Sequence, residues 1–447
     1  MEETARENHP PLYFLLLSLW TKLGPPGEGW ARFLSVVLGT LLVGAVYRLS
    51  QKLGMKETGL LACLFLAFSP WAVWHSQDAR MYPLALLCAV VSLTLFLEYI
   101  EEGGSAGKPI LGALALTASL YSHLYAISAF PVLGLYLLRR RKEIPRRRWW
   151  TAALAVFGVC VVWLPWVMVV LSIHHHAGFY KPLSLFTVPY TLFVFSVGYS
   201  LGPSLQELRA YVSHPALPHQ YWVVVLAAAV LFGGLLAAGA WRCRAALRRR
   251  GEFLLLLFWI PLAVPVCVTL LNGEIDFNAR YAFLSFPALL LLLSLGVSRC
   301  RSRFLRWGAA CAVLAFMTAS LVSHFTDQRY AKEDARQAHR LVESMRSAED
   351  CILVIGVTPA YQYYEGGAVR SRWLDFRYPD RVPESAEEIR RWSATCPRLW
   401  FVAGRTWEED PQGMARPTLE KFFVSREEWD VHGVHILEME PRKRRSS

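Results

Sequence analysis

Four short segments bring together residue types that can handle charge and protons. The first is Glu7-Asn8-His9-Pro10-Pro11-Leu12-Tyr13, with a carboxylate and an imidazole two positions apart ahead of a proline pair. The second is Ser76-Gln77-Asp78-Ala79-Arg80-Met81-Tyr82, lying between two apolar stretches. Asn278-Ala279-Arg280-Tyr281 opens another apolar stretch, and Tyr330-Ala331-Lys332-Glu333-Asp334-Ala335-Arg336 follows the last one. A guanidinium is a planar fork of donors suited to oxyanions, and a carboxylate can accept a proton in a reaction. Each residue also has a plainer reading. Arg80 and Arg280 could be interfacial anchors, His9 could cap the helix behind it, and Lys332 to Arg336 could simply begin a surface helix.

The stretches between these segments are built for lipid. Hydrophobic residues make up 54% of 447 positions and charged residues only 18%, well under the share in soluble domains. A net charge of +12 raises the question of nucleic acid. Its location removes that class. Residues 327–447 hold 20 basic and 21 acidic residues, while residues 1–326 hold 27 and 14, so the whole excess sits among the apolar runs. A membrane helix needs about 20 apolar residues. The windows 31–49, 59–75, 82–100, 151–171, 221–241, 253–271, 281–298 and 304–324 qualify, and 110–138, interrupted by Ser119, Ser122 and His123, reads as two short spans. The fold class expected is therefore an α-helical polytopic membrane protein of about ten spans.

Loop charges orient it. Segments 48–56, 139–148, 241–250 and 299–306, together with Lys108, hold 20 of the 27 basic residues, and all fall on one side of a ten-span chain. That side is cytoplasmic by the positive-inside rule. Residues 184–201 then read as re-entrant or interfacial, and 12–23 as an amphipathic surface helix. The outer face receives residues 1–30, 75–81, 122–125, 172–220, 272–280 and the tail from 325, with all twelve histidines in or beside it. The domains expected are an outer juxtamembrane segment (1–30), a multi-span region (31–326) with an outer loop (172–220), and a soluble extracytoplasmic domain (327–447). In that last domain helical spacing over 333–347 and 384–395 alternates with strand-like 351–357 and 398–404, which predicts a small α/β domain, and 441–447 reads as a disordered end. Cys351 and Cys396 could pair there in an oxidising compartment, while the other cysteines read as core packers. His174-His175-His176 reads as a solvated cluster before a metal site, and His123 and Tyr125 either line a cavity or pack. With residue 1 outside, the topology leads us to expect a further span upstream of Met1.

In order and along nearly the whole chain, the four segments resemble motifs of the GT-C superfamily of lipid-linked-sugar glycosyltransferases. The branch is the bacterial family 39 type, related to protein O-mannosyltransferases and aminoarabinose transferases. The resemblance implies transfer of a sugar from a polyprenyl-phosphate-linked donor to a lipid, glycan or protein acceptor at the outer face of a cell (plasma or inner) membrane. Arg80 and Arg280 would then hold the carrier phosphate, with Tyr82 and Tyr281 beside them and His9, Lys332 and Arg336 as further substrate contacts. The family's base is an acidic residue in a first outer loop upstream of the HPPL segment; here Glu7 and Asp78 stand as candidates. No cofactor is required by these residues, and a divalent metal ion is kept open. The rival classes are a transporter or flippase of lipid-linked sugars and a non-catalytic paralogue that binds the carrier. Related halves and midplane helix breaks, the marks of transporters, are not evident.

Overall fold

The computed structural model describes residues 10–172, 183–204, 207, 219–271, 277–366 and 369–442. The chain divides into two compact units, Met1–Thr326 and Asp327–Ser447.

The first unit is helical. Its helices are α1 (Leu12–Thr21), α2 (Glu28–Lys52), α3 (Lys56–Phe68), α4 (Pro70–Ser76), α5 (Tyr82–Glu101), α6 (Gly107–Leu120), α7 (Ala129–Arg140), α8 (Arg146–Ser172), α9 (Thr187–Val197), α10 (His219–Leu271), α11 (Ser285–Arg299) and α12 (Arg303–Thr326). Among the described residues six helical stretches are long and apolar enough to cross a membrane, and α3 with α4 makes a seventh if that bent pair is one span. The ten expected windows all fall on helices. The difference in number comes from α6, α7 and α11, at 14, 12 and 15 residues, which fall short of a bilayer crossing by length.

The breaks have local causes. Pro70 pushes the residue before it out of the helical region, and Ser69 is extended (φ −67°, ψ 120°). Its hydroxyl then caps α4 by accepting from the Ala72 amide, and the two helices meet at a 57° bend. Ser122 and His123 end α6, and the His123 ring accepts from the Tyr125 amide to start the 3-10 turn Leu124–Ser128. α10 is helical over 53 residues, with Pro261 and Pro265 inside it, yet it folds back on itself. Eight residues of straight helix span about 12 Å. The Cys243 thiol nevertheless donates to the Gly251 carbonyl at 3.2 Å, which closes a hairpin between its two apolar stretches, Gln220–Ala245 and Arg249–Leu271. α11 then packs on α10 at backbone distance. A Cβ on Gly239 would sit 1.9 Å from the Leu292 carbonyl oxygen, and one on Gly296 would sit 2.0 Å from that of Leu235. Small residues at such crossings are how membrane helices approach closely.

The basic loops meet at one end of this unit. Glu98, buried at the end of α5, binds Arg48 at 2.9 Å, Lys108 at 3.1 Å and Lys52 at 3.6 Å. Glu252 holds Arg139 at 2.7 Å and also pairs with Arg140, while Glu143 binds Arg249 at 2.8 Å. Arg299, at the end of α11, lies 3.5 Å over the Trp241 ring. Tyr82 and Glu98 stand sixteen residues apart on α5, about 24 Å along its axis, so the second motif lies at the opposite end.

Two readings of the sequence need correction. α1 is apolar on nearly every side, with exposed Leu15 and Leu19, so it is not the amphipathic helix expected for 12–23. Its Tyr13 is instead buried, with its hydroxyl 2.8 Å from that of Ser35 on α2. Of the expected disordered end 441–447, Pro441 instead closes the last strand and the Arg442 amide donates to the Phe422 carbonyl, while 443–447 lie outside the described residues.

The second unit is a four-stranded sheet with helices. Its strands are β1 (Cys351–Ile355), β2 (Leu399–Gly404), β3 (Phe423–Val431) and β4 (Val434–Pro441), in the order β1-β2-β4-β3. β1 and β2 are parallel, and β3 and β4 form an antiparallel hairpin. Asp334 caps α13 (Ala335–Met345) by accepting from the Gln337 amide, and α14 (Thr358–Glu365) and α15 (Val382–Thr395) complete the layers. A Cys351–Cys396 disulfide ties the start of β1 to the end of α15.

Two outcomes follow from these anchors. Glu98→Ala removes the buried carboxylate that ties Arg48, Lys52 and Lys108 together and, with Lys52 keeping Glu102 and Arg48 open to solvent, should cost about 2 kcal/mol; thermal unfolding of purified protein in detergent measures it, and an unchanged midpoint would show that the cluster is not holding the helices. The disulfide closes a loop 45 residues in separation, so replacing both cysteines with Ser should destabilise the second unit by about 4 kcal/mol, read by limited proteolysis of residues 327–447 with and without reductant.

Candidate functional site

The end of the first unit opposite the basic cluster is made of helix breaks. The bend at Ser69 directs α4 inward, so Trp71 and His75 are buried. Residues 77–81 then turn tightly, with the Arg80 amide donating to the Asp78 carbonyl at 2.8 Å, before Pro83 helps to start α5. The Ser35 hydroxyl also reaches the Arg80 carbonyl, at 3.5 Å, and the Leu12 amide donates to the Tyr121 carbonyl at 2.9 Å. The starts of α1 and α5 and the end of α6 are thereby tied together.

Aromatic and imidazole rings line this end in a continuous chain. His75 packs between Trp71 and Tyr82, each centroid 4.5 Å away, and Tyr82 lies 5.0 Å from His123. His123 in turn meets Phe283 at 5.0 Å, and Tyr125 stacks on Tyr281 at 4.3 Å with the rings 9° apart. The Tyr281 ring is set by the local backbone. The Asn278 side chain accepts from the Arg280 amide at 3.2 Å and caps the 3-10 turn Ala279–Ala282, presenting Arg280 and Tyr281 ahead of α11. A second wall comes from α12, whose His324 ring nitrogen is 3.3 Å from the Gln77 side-chain oxygen and lies beside Trp74.

The two expected arginines converge. Arg80 and Arg280 both act electrostatically on the Tyr82 phenol, as does Asp78. Arg80 is exposed and its guanidinium enters no ion pair among the described residues; Arg280 is half-buried. Arg280 also acts on Tyr199, which follows α9. The chain turns there at Gly198 (φ +72°), where a Cβ would sit 2.6 Å from that of Pro70. Burial holds the Tyr199 phenol well above its ordinary value, Tyr190 adding to this and Arg280 opposing it.

The sequence candidates are distributed unevenly. Asp78, Arg80, Tyr82, Arg280 and Tyr281 come together. Glu7, His9 and the His174–His176 cluster lie outside the described residues. Lys332 and Arg336 belong to the second unit, where both are exposed and Arg336 lies 5.6 Å from the Tyr364 ring centroid on the first turn of α13. Ring contacts add His75, Tyr199 and His324, which the motifs did not include. His75 directly precedes the second motif, and the gathering of histidines at the outer segments was the available signal. Among the described residues no group of three or more His, Cys, Asp or Glu could hold a metal ion.

The family described as dolichyl-phosphate-mannose-protein mannosyltransferase matches residues 8–166. An uncharacterized protein of Aquifex aeolicus (strain VF5) is 29% identical over 165 residues, which is 35% of this chain. The match spans 32% of the length of that curated relative. The structure is similar to ArnT from Cupriavidus metallidurans in the apo state, with a TM-score of 0.59 and 14% identity over 96% of this chain and 87% of that one. ArnT bound to undecaprenyl phosphate gives the same TM-score at 13% identity, covering 96% and 88% of the two chains. The oligosaccharyltransferase AglB of Archaeoglobus fulgidus, in complex with an inhibitory peptide and a dolichol-phosphate, gives 0.54 at 13% identity, covering 96% of this chain and 66% of that one. The chain is a multi-pass helical membrane protein that shares the fold of ArnT and carries a small C-terminal sheet domain.

The Tyr125–Tyr281 stack joins the two halves of the site. A double-mutant cycle with Tyr125→Ala and Tyr281→Ala, read by thermal unfolding, should give a coupling of about 1 kcal/mol. Strictly additive losses would show that the rings are neighbours without being partners.

Proposed function

We propose that this protein transfers a sugar from a polyprenyl-phosphate-linked donor to a lipid, glycan or protein acceptor at the membrane face opposite its basic loops. The placement of Arg80 and Arg280 at two helix breaks joined by the Tyr82–His123–Phe283 and Tyr125–Tyr281 ring contacts, away from those loops, carries the reading. A carrier phosphate sits at the membrane surface on a chain anchored in lipid, and it needs cations fixed at that depth. Two guanidiniums from separate helix breaks meet that need. ArnT bound to undecaprenyl phosphate and AglB in complex with a dolichol-phosphate support this class of donor for the fold.

In the transfer, the bond from the anomeric carbon to the carrier phosphate breaks and a bond to the acceptor oxygen forms. Polyprenyl phosphate leaves with the bonding electrons, stabilised by Arg80 and Arg280, and the acceptor's proton passes to a carboxylate. Asp78, two residues from Arg80 and acting on both Tyr82 and Tyr13, is our candidate base among the described residues. The basic loops favour a cytoplasmic position for their end, and the Cys351–Cys396 disulfide suits an oxidising compartment for the second unit.

Full-length protein in lipid vesicles tests this with a radiolabelled polyprenyl-phosphate sugar. Arg80→Ala and Arg280→Ala should each lower kcat/KM about a hundredfold, and Asp78→Asn should abolish transfer while carrier binding persists. Undiminished transfer in both arginine variants would overturn the phosphate assignment. Label that crosses the bilayer still attached to its carrier would identify a flippase instead.

A further inference from the structure

The basic end holds a second feature that sugar transfer does not use. A cavity of about 290 Å³ opens there between α7 and both arms of the α10 hairpin, lined by Arg139, Arg244, Glu252, Leu255, Leu256 and Trp259. Its volume is close to the lower bound for ligand sites, ~300 Å³. We propose that it binds the headgroup of an anionic phospholipid from the leaflet at that end.

Charge and depth together select this ligand. The cavity offers two guanidiniums against one carboxylate, and that carboxylate is already committed. Glu252 binds Arg139 at 2.7 Å and pairs with Arg140 behind it. Arg244 is exposed and enters no ion pair among the described residues. Arg139 keeps 60% of its side chain accessible while paired, so its remaining donors face outward. A phosphodiester between the two would complete the fork geometry that arginine favours.

The opposite wall is apolar. From Glu252 to Trp259 the helix advances seven residues, about 10 Å, passing Leu255 and Leu256 on the way into a stretch that is hydrophobic enough to span a bilayer. Trp259 is 55% exposed, as expected of an indole placed at a membrane interface. A soluble anion would use the arginines and leave this wall unused. A phospholipid uses both, its phosphate at Arg139 and Arg244 and its glycerol esters and first methylenes along Leu255, Leu256 and Trp259. Basic pockets between helix ends at the positively charged face of a membrane protein suit such headgroups.

Native mass spectrometry of the full-length protein, titrated with phosphatidylglycerol and with phosphatidylcholine of the same acyl chains, tests the proposal. Phosphatidylglycerol should be retained preferentially. Arg244→Gln, which removes no ion pair, should weaken its binding about fivefold, and Arg139→Gln with Arg244→Gln about twentyfold. Arg301→Gln with Arg303→Gln, at the same end but outside the cavity, should leave it unchanged. Equal losses in that control pair would reduce the effect to general surface charge and overturn the site, as would unaltered binding in Arg244→Gln. Glycerol 3-phosphate competing as well as the lipid would show a soluble phosphate ligand and would also overturn it. Sugar transfer is not part of this readout, so the two proposals stand or fall separately.

Discussion

A bilayer cannot hydrogen-bond an open backbone, and this constraint governs where the first unit can be irregular. Every amide freed by a helix break must find a partner inside the protein. At Ser69 a hydroxyl supplies it, at His123 an imidazole, and at Asn278 a side-chain amide. All three caps lie at the same end of the bundle, where the chain also turns tightly through residues 77–81. The polar groups that make the breaks tolerable are therefore interleaved with those that give this end its chemistry. His123 shows the overlap most directly, since one ring nitrogen caps a turn while the ring face packs on Tyr82 and Phe283.

The other end solves a different problem. Basic loops keep a chain oriented, but like charges crowded on short connections repel. Glu98 and Glu143 sit between cations from different loops, Glu252 ties α10 to Arg139 and Arg140, and together they convert that repulsion into cross-links among α2, α5, α6, α7 and α10. Glu98 is the most committed of them, because its side chain is buried with three cations around it. A rigid basic end leaves the breaks at the opposite end as the natural place for rearrangement around a substrate.

Much of this was legible in the residues, and the reason differs by feature. Loop charge revealed which connections share an end, because lysines and arginines cannot be hidden in lipid; ion pairs among those loops now link them directly. The break at Ser122–His123 was visible as polar residues inside an apolar run. The α3–α4 bend was less so, since 59–75 reads as one continuous hydrophobic window and only Pro70 marks it. The β3–β4 hairpin escaped notice because its exposed positions are heavily charged (Arg426, Glu427, Glu428, Asp430), which masks the alternation of Phe423, Val431, Val434 and Ile436. Its turn, with His432 at φ 43° and Gly433 at φ 78°, is a paired left-handed turn of the kind that favours tight hairpins. Ring contacts such as Trp71–His75 and Trp74–His324 have no signature in spacing, because they depend on helices meeting in space.

The arrangement of the motif end also bears on how much of it is shared with relatives. Residues 8–166, where the family match lies, include Asp78, Arg80, Tyr82 and His123, whereas Arg280 and Tyr281 fall outside that stretch. The later pair is joined to the earlier part by ring packing, Tyr125 on Tyr281 and Tyr82 and His123 on Phe283. Such packing fixes the height of Arg280 relative to Arg80 without any ion pair between them, which like-charged guanidiniums could not form in any case. Two arginines from separate helix breaks are thereby brought to one end of the bundle by rings and capped turns rather than by charge pairing between them.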